Sequence, residues 1–348
     1  MVAVGLGLVL VGCATRPPIT EPGQISGRLS VRVAATADTG ERAANMAFEL
    51  RGNPTAGEID FSTALGTVVA RARWSADRVV LVTGAGSGFG RSTAVQAAAR
   101  GAAVVAVDLD GDAAATTADT IAAARGRAAP ATADVTHKPD LDAAVALAME
   151  RFGAVDVLVN NAGTMPLAFF ADHERALDAW YRCIDVNLKG VLNGIVAVYD
   201  RMIAQGRGHV VNVSSIYGNQ GTPGSGVYSA TKAAVIALSE ALRSESLGRI
   251  KVTTVRPTGV VGTNLGQSVV NYEAIHGLTG DRAASYTEHL GQWMGGTLPE
   301  GATDVDDVRF WAIGPDELAA QIVAVIDMPW GVTVSDVTVR ATGEDFVR

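Results

Sequence analysis

RVVLVTGAGSGFG, residues 78–90, decides how the rest of the chain is read. A run of β-branched residues gives way at once to Gly84, Gly86, Gly88 and Gly90, and GRSTAVQAAARG (residues 90–101) then carries helix-forming side chains. The expectation is a buried strand that turns sharply into a helix. Glycines let such a turn bend and lie close to a pyrophosphate, whose charge meets the amides and the positive end of the helix. Thr83, Ser87 and Phe89 complete the turn. Alone it is a weak signal, because a glycine-rich loop can serve packing only.

Working outward, strand-like AAVVAVD (residues 102–108) is followed by an alanine-rich helical stretch to Arg125, AAPATAD (128–134), a helix through Arg151 and VDVLVNNAG (155–163). The series continues with a long helix over 172–205, the strand HVVNVSS (209–215), a helix after Tyr228, IKVTTVRP (250–257), a helix over 315–327 and a last strand VTVSDVTVR (332–340). Strands alternating with helices of this length predict an α/β fold, a doubly wound parallel sheet of Rossmann type with helices on both faces.

Asp108 strengthens the nucleotide reading of the turn. It ends the second strand, where a carboxylate can hydrogen-bond a ribose diol. A 2′-phosphate would meet like charge there, and neither Ser87 nor Leu109 supplies a basic partner, so NAD(H) is expected in preference to NADP(H). Tyr228 and Lys232 stand four residues apart and share a helix face. A neighbouring cation favours phenolate and is expected to lower the tyrosine pKa towards neutrality, as proton exchange with an alcohol requires. Ser215, at a strand end, can hold the substrate oxygen from the other side. A lone tyrosine and lysine at this spacing is usually an ordinary surface pair; the surrounding motifs give this one its meaning.

Taken together, these motifs resemble the short-chain dehydrogenase/reductase family over residues 78–342. The matching positions are the turn from Thr83 to Gly90, Asn160-Asn161-Ala162-Gly163, Asn187 within VNLKG, Ser215 within VNVSS, and Tyr228 with Lys232. The resemblance implies that Asp134 and Val135 contact adenine, that Asn160 to Gly163 support the cofactor cleft, and that Lys232 also binds the nicotinamide ribose. It further implies that Asn187 holds a water linking Lys232 to solvent. Structural alternatives stand beside these roles: Asn187 can cap or bend its helix, and NNAG can be a tight turn. RPTGVVGTNL (residues 256–265) departs from the family's spacing by one residue before the threonine. Pro257, Gly259, Val260 and Thr263 are expected to face the cofactor, in a register that can differ by one.

The stretch between Asn264 and Trp311 carries Tyr272, His276, Tyr286, His289, Trp293 and Met294. In the resembled family it folds over the cleft and selects substrate, which implies a bulky or hydrophobic secondary alcohol or ketone. Packing of these aromatics against their own helix is the competing expectation. The helix containing Trp180, Tyr181 and Cys183 is where such enzymes pair into homodimers or homotetramers, and Cys183 reads as a buried apolar residue rather than a nucleophile.

Upstream of residue 78 the sequence changes character. MVAVGLGLVLVGCA (residues 1–14) is uncharged and of signal-peptide length, and Leu10-Val11-Gly12-Cys13 resembles a bacterial lipobox. It reads equally as an apolar N-terminal strand or helix stub. After a proline-rich linker, residues 25–82 show strand-like alternation without helices. With GRLSVRV and TALGTVVARARW, this part resembles the start of an outer-membrane lipoprotein-insertion factor of the Lol system. Residues 15–77 are too few to complete that family's sheet, so they are read as a truncated β-rich fragment ahead of an NAD-binding domain over 78–348, a chimera. WSADRVVLVTG (residues 74–84) is expected to be one strand that both parts could claim, with the parallel sheet as its owner.

With 348 residues, 48% of them hydrophobic, the chain can build a sizeable core. A net charge of −8 without a basic run argues against nucleic acid, and the five histidines and two cysteines show no metal-ligand spacing. A cytoplasmic location is expected, with membrane attachment only through a lipidated Cys13. Two other readings compete with an oxidoreductase. A non-catalytic dinucleotide sensor would not need a serine, tyrosine and lysine set, and a lipoprotein carrier would need more sheet than this chain has.

Overall fold

The computed structural model describes residues 24–33, 42–52, 56–63, 66–75 and 78–346. The lipobox-like segment and the linker expected after it lie outside the described residues. The chain divides between Asp77 and Arg78 into two compact units.

The first unit is an antiparallel meander of β1 (Gln24–Val33), β2 (Arg42–Gly52), β3 (Ala56–Ser62) and β4 (Val68–Ser75), paired in chain order. Gly27 lies directly opposite Phe48, and a side chain on it would come within 2.9 Å of the ring. Period-two alternation without helical spacing gives this hairpin arrangement. The expected shared strand is instead two strands: β4 closes at Ser75, and the parallel sheet opens separately at Val79. Charged Asp77 and Arg78 interrupt the apolar run between them.

In the second unit seven strands run parallel. They are β5 (Val79–Thr83), β6 (Ala103–Asp108), β7 (Arg127–Thr132), β8 (Val157–Asn160), β9 (Gly208–Val213), β10 (Ile250–Pro257) and β11 (Asp336–Val339), in the order β11-β10-β9-β8-β5-β6-β7. The chain winds outward from β5 to β7, returns beside β5 as β8, and winds out the other way. That reversal opens a crevice at the carboxyl ends of β5 and β8, where open α/β sheets bind ligands. The last strand is shorter than expected, because residues 332–335 precede the paired segment.

Alternation in the strands builds one core on each face. Val79, Leu81 and Val105 pack against α3 (Lys138–Phe152), α5 (Gly190–Gln205) and α6 (Gly226–Glu245) through Leu141, Ile195 and Val235. Val80, Val82 and Val104 face α1 (Gly88–Ala99), α2 (Gly111–Ala123) and α9 (Pro315–Asp327) through Ala94, Ile121 and Ile322. Small side chains at Ala94, Ala97 and Ala98 let α1 lie close to the sheet, which fixes where the glycine turn points. The long helix expected over 172–205 is α4 (His173–Ile184) and α5 joined by a π turn, Asp185–Lys189. The segment over the cleft contains α7 (His276–Thr279) and α8 (Ala283–Gly295).

Candidate active site

A cleft of about 700 Å³ opens at the carboxyl edge of the parallel sheet. Gly84 and Gly88 have φ of +67° and +52°, which a side chain would strain. Gly90 is needed for space: a Cβ there would lie 2.1 Å from the Gly84 carbonyl oxygen and 2.3 Å from Asn161 Nδ2. Ser87 precedes α1 without making a side-chain cap, and the first turn carries no acidic residue. Those amides and the positive helix end therefore suit an anion. Asn161 donates through Nδ2 to the carbonyls of Thr83 (2.8 Å) and Gly84 (3.2 Å), while its buried Oδ1 has no partner among the described residues. A glycine cradle with uncapped amides and an orphaned amide oxygen fits a dinucleotide.

Thr83 and Gly86 sit behind this surface, not on it. The Thr83 hydroxyl accepts from the amides of Asn161 (3.0 Å) and Ala162 (3.1 Å), tying β5 to β8. Gly86 donates its amide to Asp108 Oδ2 at 2.8 Å, and Asp110 donates to Oδ1 at 3.0 Å. Asp108 is thereby aimed at the cleft with lone pairs left to accept hydroxyls. Leu109, Asp134, Val135, Ala162, Gly163, Pro257, Gly259, Val260 and Thr263 all line the same cleft. Thr263 packs on the glycine turn, its Cβ 3.5 Å from where a Gly88 side chain would begin, so the extra residue in RPTGVVGTNL is absorbed before it. Asn160 lies deeper, in a buried amide ladder: its Nδ2 donates to Asn212 Oδ1 (2.9 Å), and Asn212 donates to Ser239 (2.9 Å).

Ser215, Tyr228 and Lys232 converge on the other half of the cleft. Ser215 leaves β9 and caps a short turn by accepting from the Tyr217 amide at 3.2 Å. Lys232 Nζ donates to the Val213 carbonyl at 2.8 Å and lies 5.8 Å from the Tyr228 ring centre. The expected lowering of the Tyr228 pKa is not what this environment produces. Burial pushes the phenol up to about 12, outweighing its hydrogen bond with Ser215, and Cys183 pushes the same way. Burial also lowers Lys232 to about 8. Both groups lose water on the same packed face, and each charged form is disfavoured.

Asn187 stands in the π turn and does not line the cleft. Its Oδ1 accepts from the Thr164 amide and its Nδ2 donates to the Thr164 carbonyl, both at 2.9 Å. These two hydrogen bonds brace the loop after β8, and Nδ2 also reaches the Thr231 hydroxyl at 3.3 Å. A π turn displaces the helix locally, a feature that recurs at functional sites. Cys183 is fully buried, and burial raises its pKa, as an inert apolar residue requires.

Tyr272, Tyr286 and Trp293 face the cleft, whereas His276 and Met294 do not. His289 is paired with Asp345 at 2.8 Å. Sequence reading missed Tyr217, Trp311 and Phe346, which also line the cleft. Tyr217 could have been noticed two residues after Ser215; Phe346 carries no local signal, because it arrives by a fold-back of the chain.

Comparison with known proteins gives consistent matches. The profile described as short chain dehydrogenase matches residues 78–274. An uncharacterised oxidoreductase of Listeria monocytogenes is 35% identical over 273 residues, spanning 78% of this chain and 98% of that protein. A short-chain dehydrogenase/reductase from Burkholderia phymatum, solved with NAD, superposes with a TM-score of 0.59 at 26% identity, covering 75% of this chain and 88% of the other. An alcohol dehydrogenase from Thermococcus sibiricus, solved with 5-hydroxy-NADP, shares the fold (TM-score 0.60, 23% identity, 76% of this chain and 97% of that one). The family match begins at residue 78, and the resemblance of the first 77 residues to a lipoprotein-insertion factor gains no support from it. Among the described residues no helix is long and apolar enough to cross a membrane.

Proposed function

The chain belongs to the short-chain dehydrogenase/reductase family and is an NAD(P)-dependent oxidoreductase, and on that premise we propose that residues 78–348 transfer hydride reversibly between NAD(H) and a hydrophobic secondary alcohol or ketone. The convergence of Ser215, Tyr228 and Lys232 in one cleft with the glycine turn carries this reading. When bound, the dinucleotide supplies the hydride donor or acceptor and, in its oxidised form, a fixed positive charge.

This chain's residues supply position and a proton. Gly84 to Gly90 seat the pyrophosphate on the uncapped end of α1, and Asp108 accepts from the adenine ribose, favouring NAD(H). Asp134 and Val135 border the adenine. Ser215 orients the substrate oxygen by hydrogen bonding. With its pKa near 12, Tyr228 stands protonated at neutral pH, poised to donate to the oxygen of a ketone as it gains hydride. In the opposite direction the phenol first gives up its own proton to solvent; the positive charge beside it favours that phenolate, which then takes the alcohol proton as the carbon gives up hydride. Lys232 holds the ribose and supplies positive charge next to the phenol. Asn187 acts through Thr164, fixing the loop that forms the cleft's floor.

Tyr228→Phe is expected to abolish ketone reduction while leaving NADH affinity intact; retention of turnover would reject the assignment. Binding of NADH in competition with NADPH tests the role of Asp108. We also infer a self-association face on α4 and α5, where Leu177, Tyr181, Ile184, Leu192 and Val196 are exposed along one stripe. A cytoplasmic workplace follows from the need for a dinucleotide pool. Residues 15–77 we take as a separate β-rich part.

A further inference from the structure

We propose that Phe346 is a specificity-determining residue: the segment after β11 folds back to complete an aromatic wall of the substrate chamber, selecting ketones that carry an aryl group beside the reacting carbon. The proposal rests on the hydride-transfer reading of the same cleft and concerns only which substrate that cleft prefers.

The fold-back is fastened at several points. Arg340 donates to the Phe346 carbonyl (3.0 Å) and to Glu344 Oε1 (2.7 Å), Arg282 donates to the Glu344 carbonyl (3.2 Å), and Gly343 donates its amide to the Phe310 carbonyl (2.9 Å). Thr258, in the loop after β10, donates its hydroxyl to Glu344. Asp345 is 5% exposed and takes three partners: Ser285 (2.8 Å) and His289 (2.8 Å) from α8, and Trp311 Nε1 (2.7 Å). A carboxylate buried with three hydrogen-bond partners fixes α8 and Trp311 relative to this segment.

That fastening sets the position of the next side chain. Phe346 lies so tightly on Gly259 that a Cβ there would be 1.8 Å from its ring. Its ring meets Tyr286 edge to face at 5.3 Å and Tyr217 at 6.3 Å, and it packs on the apolar cluster that contains Tyr217 and Tyr228. Tyr217 already donates its hydroxyl to the Leu278 carbonyl at 2.8 Å, so it offers the cleft an aromatic face, not a free donor. Three rings from three separate elements thus line the chamber that begins at Ser215. Aromatic walls favour flat rings over flexible chains of equal size, because edge-to-face contacts are geometric and a flat ring loses less rotational freedom.

The test uses the full chain with NADH and two ketones of equal carbon number, acetophenone and 2-octanone. Both kcat/KM and Kd are measured, Kd from quenching of tryptophan fluorescence by ketone, since Trp293 and Trp311 line the cleft. The wild type is expected to favour acetophenone by roughly tenfold, the scale of one or two ring contacts. Phe346→Ala, and Phe346→Leu, which keeps apolar bulk on Gly259, are both expected to bring that ratio close to one, with NADH affinity reporting an intact fold. Asp345→Asn, a positioning change, is expected to raise KM for acetophenone more than it lowers kcat. Absence of aryl preference in the wild type, or its persistence in both Phe346 variants, overturns the proposal. Tyr228→Phe separates the two readings. Wild-type turnover in that variant rejects the hydride-transfer reading, whereas the Kd ratio alone decides the aromatic wall.

Discussion

Replacing Gly90 by alanine is the sharpest probe of the cofactor half of the site. The position needs no unusual φ, so any effect comes from space alone. The new methyl would begin 2.1 Å from the Gly84 oxygen, 2.3 Å from Asn161 Nδ2 and 2.8 Å from the Gly84 carbonyl carbon. Non-bonded contacts of this kind are comfortable at about 3.5 Å, so the turn must open by roughly 1 Å. Forcing a group into a packed site costs about 1–3 kcal/mol. The displaced Asn161 amide would also weaken its bonds to Thr83 and Gly84, at about 1 kcal/mol each. A loss of about 3 kcal/mol lowers Tm by roughly 6–12 °C for a domain of this size. NADH binding should suffer separately, because the amides facing the pyrophosphate move with the turn; losing one charge-assisted bond of about 1.5–3 kcal/mol weakens Kd roughly tenfold or more. Gly153→Ala is the matched control. Its φ is +80° and nothing lies within 4 Å of an added Cβ, so it should cost about 1 kcal/mol of stability and leave NADH binding alone. Calorimetric titration with NADH and thermal unfolding of both variants decide the matter. A Gly90→Ala protein that binds NADH within twofold of wild type would refute the reasoning.

Other expectations follow from burial and charge. His209 is buried against the Thr253 hydroxyl, and burial, with Lys251 and Arg78 nearby, lowers its pKa from 6.5 to about 3. Between those values the unfolded chain binds more protons, so this contribution to stability is complete above pH 6.5 and lost as pH falls towards 3. At pH 5 the loss is about 2 kcal/mol. Urea unfolding of wild type and His209→Gln at pH 7.5 and 5 should show a shallower pH dependence in the variant, and parallel curves would count against it. Asn160→Ala strands the buried Asn212 oxygen and should cost about 1–3 kcal/mol in the same assay, an unchanged midpoint being the contrary result. Because Lys232 is lowered to about 8, it is charged below that pH and neutral above it. Ketone reduction should therefore hold steady to about pH 7 and decline through pH 8, and a profile flat to pH 10 would deny Lys232 its role. Tyr181→Asp should shift the assembled protein towards monomer in light scattering if the stripe on α4 and α5 is the self-association face.

Much of this protein could be read locally. Alternation in VVLVT and VDVLV marked strands because side chains on a strand change faces at every residue, and the glycine turn announced its bend because no other residue fits it. The four-residue step from Tyr228 to Lys232 likewise fixed a shared helix face. The opposite held where burial or a distant partner decides the outcome. The Asn187 side chain grips Thr164 through two hydrogen bonds that only the packed loop provides. WSADRVVLVTG looked like one strand because local alternation does not register which sheet claims each end.

The sequence by itself determined the alternation of strands and helices, the glycine turn and the helix face shared by Tyr228 and Lys232, since each depends on spacing along a short stretch of chain. Tertiary structure alone decided how acidic Tyr228 is, what Asn187 grips, and that Phe346 returns to face a chamber begun at Ser215. Those properties arise from desolvation and from contacts between residues far apart in the chain, and neither exists until the core has closed around them.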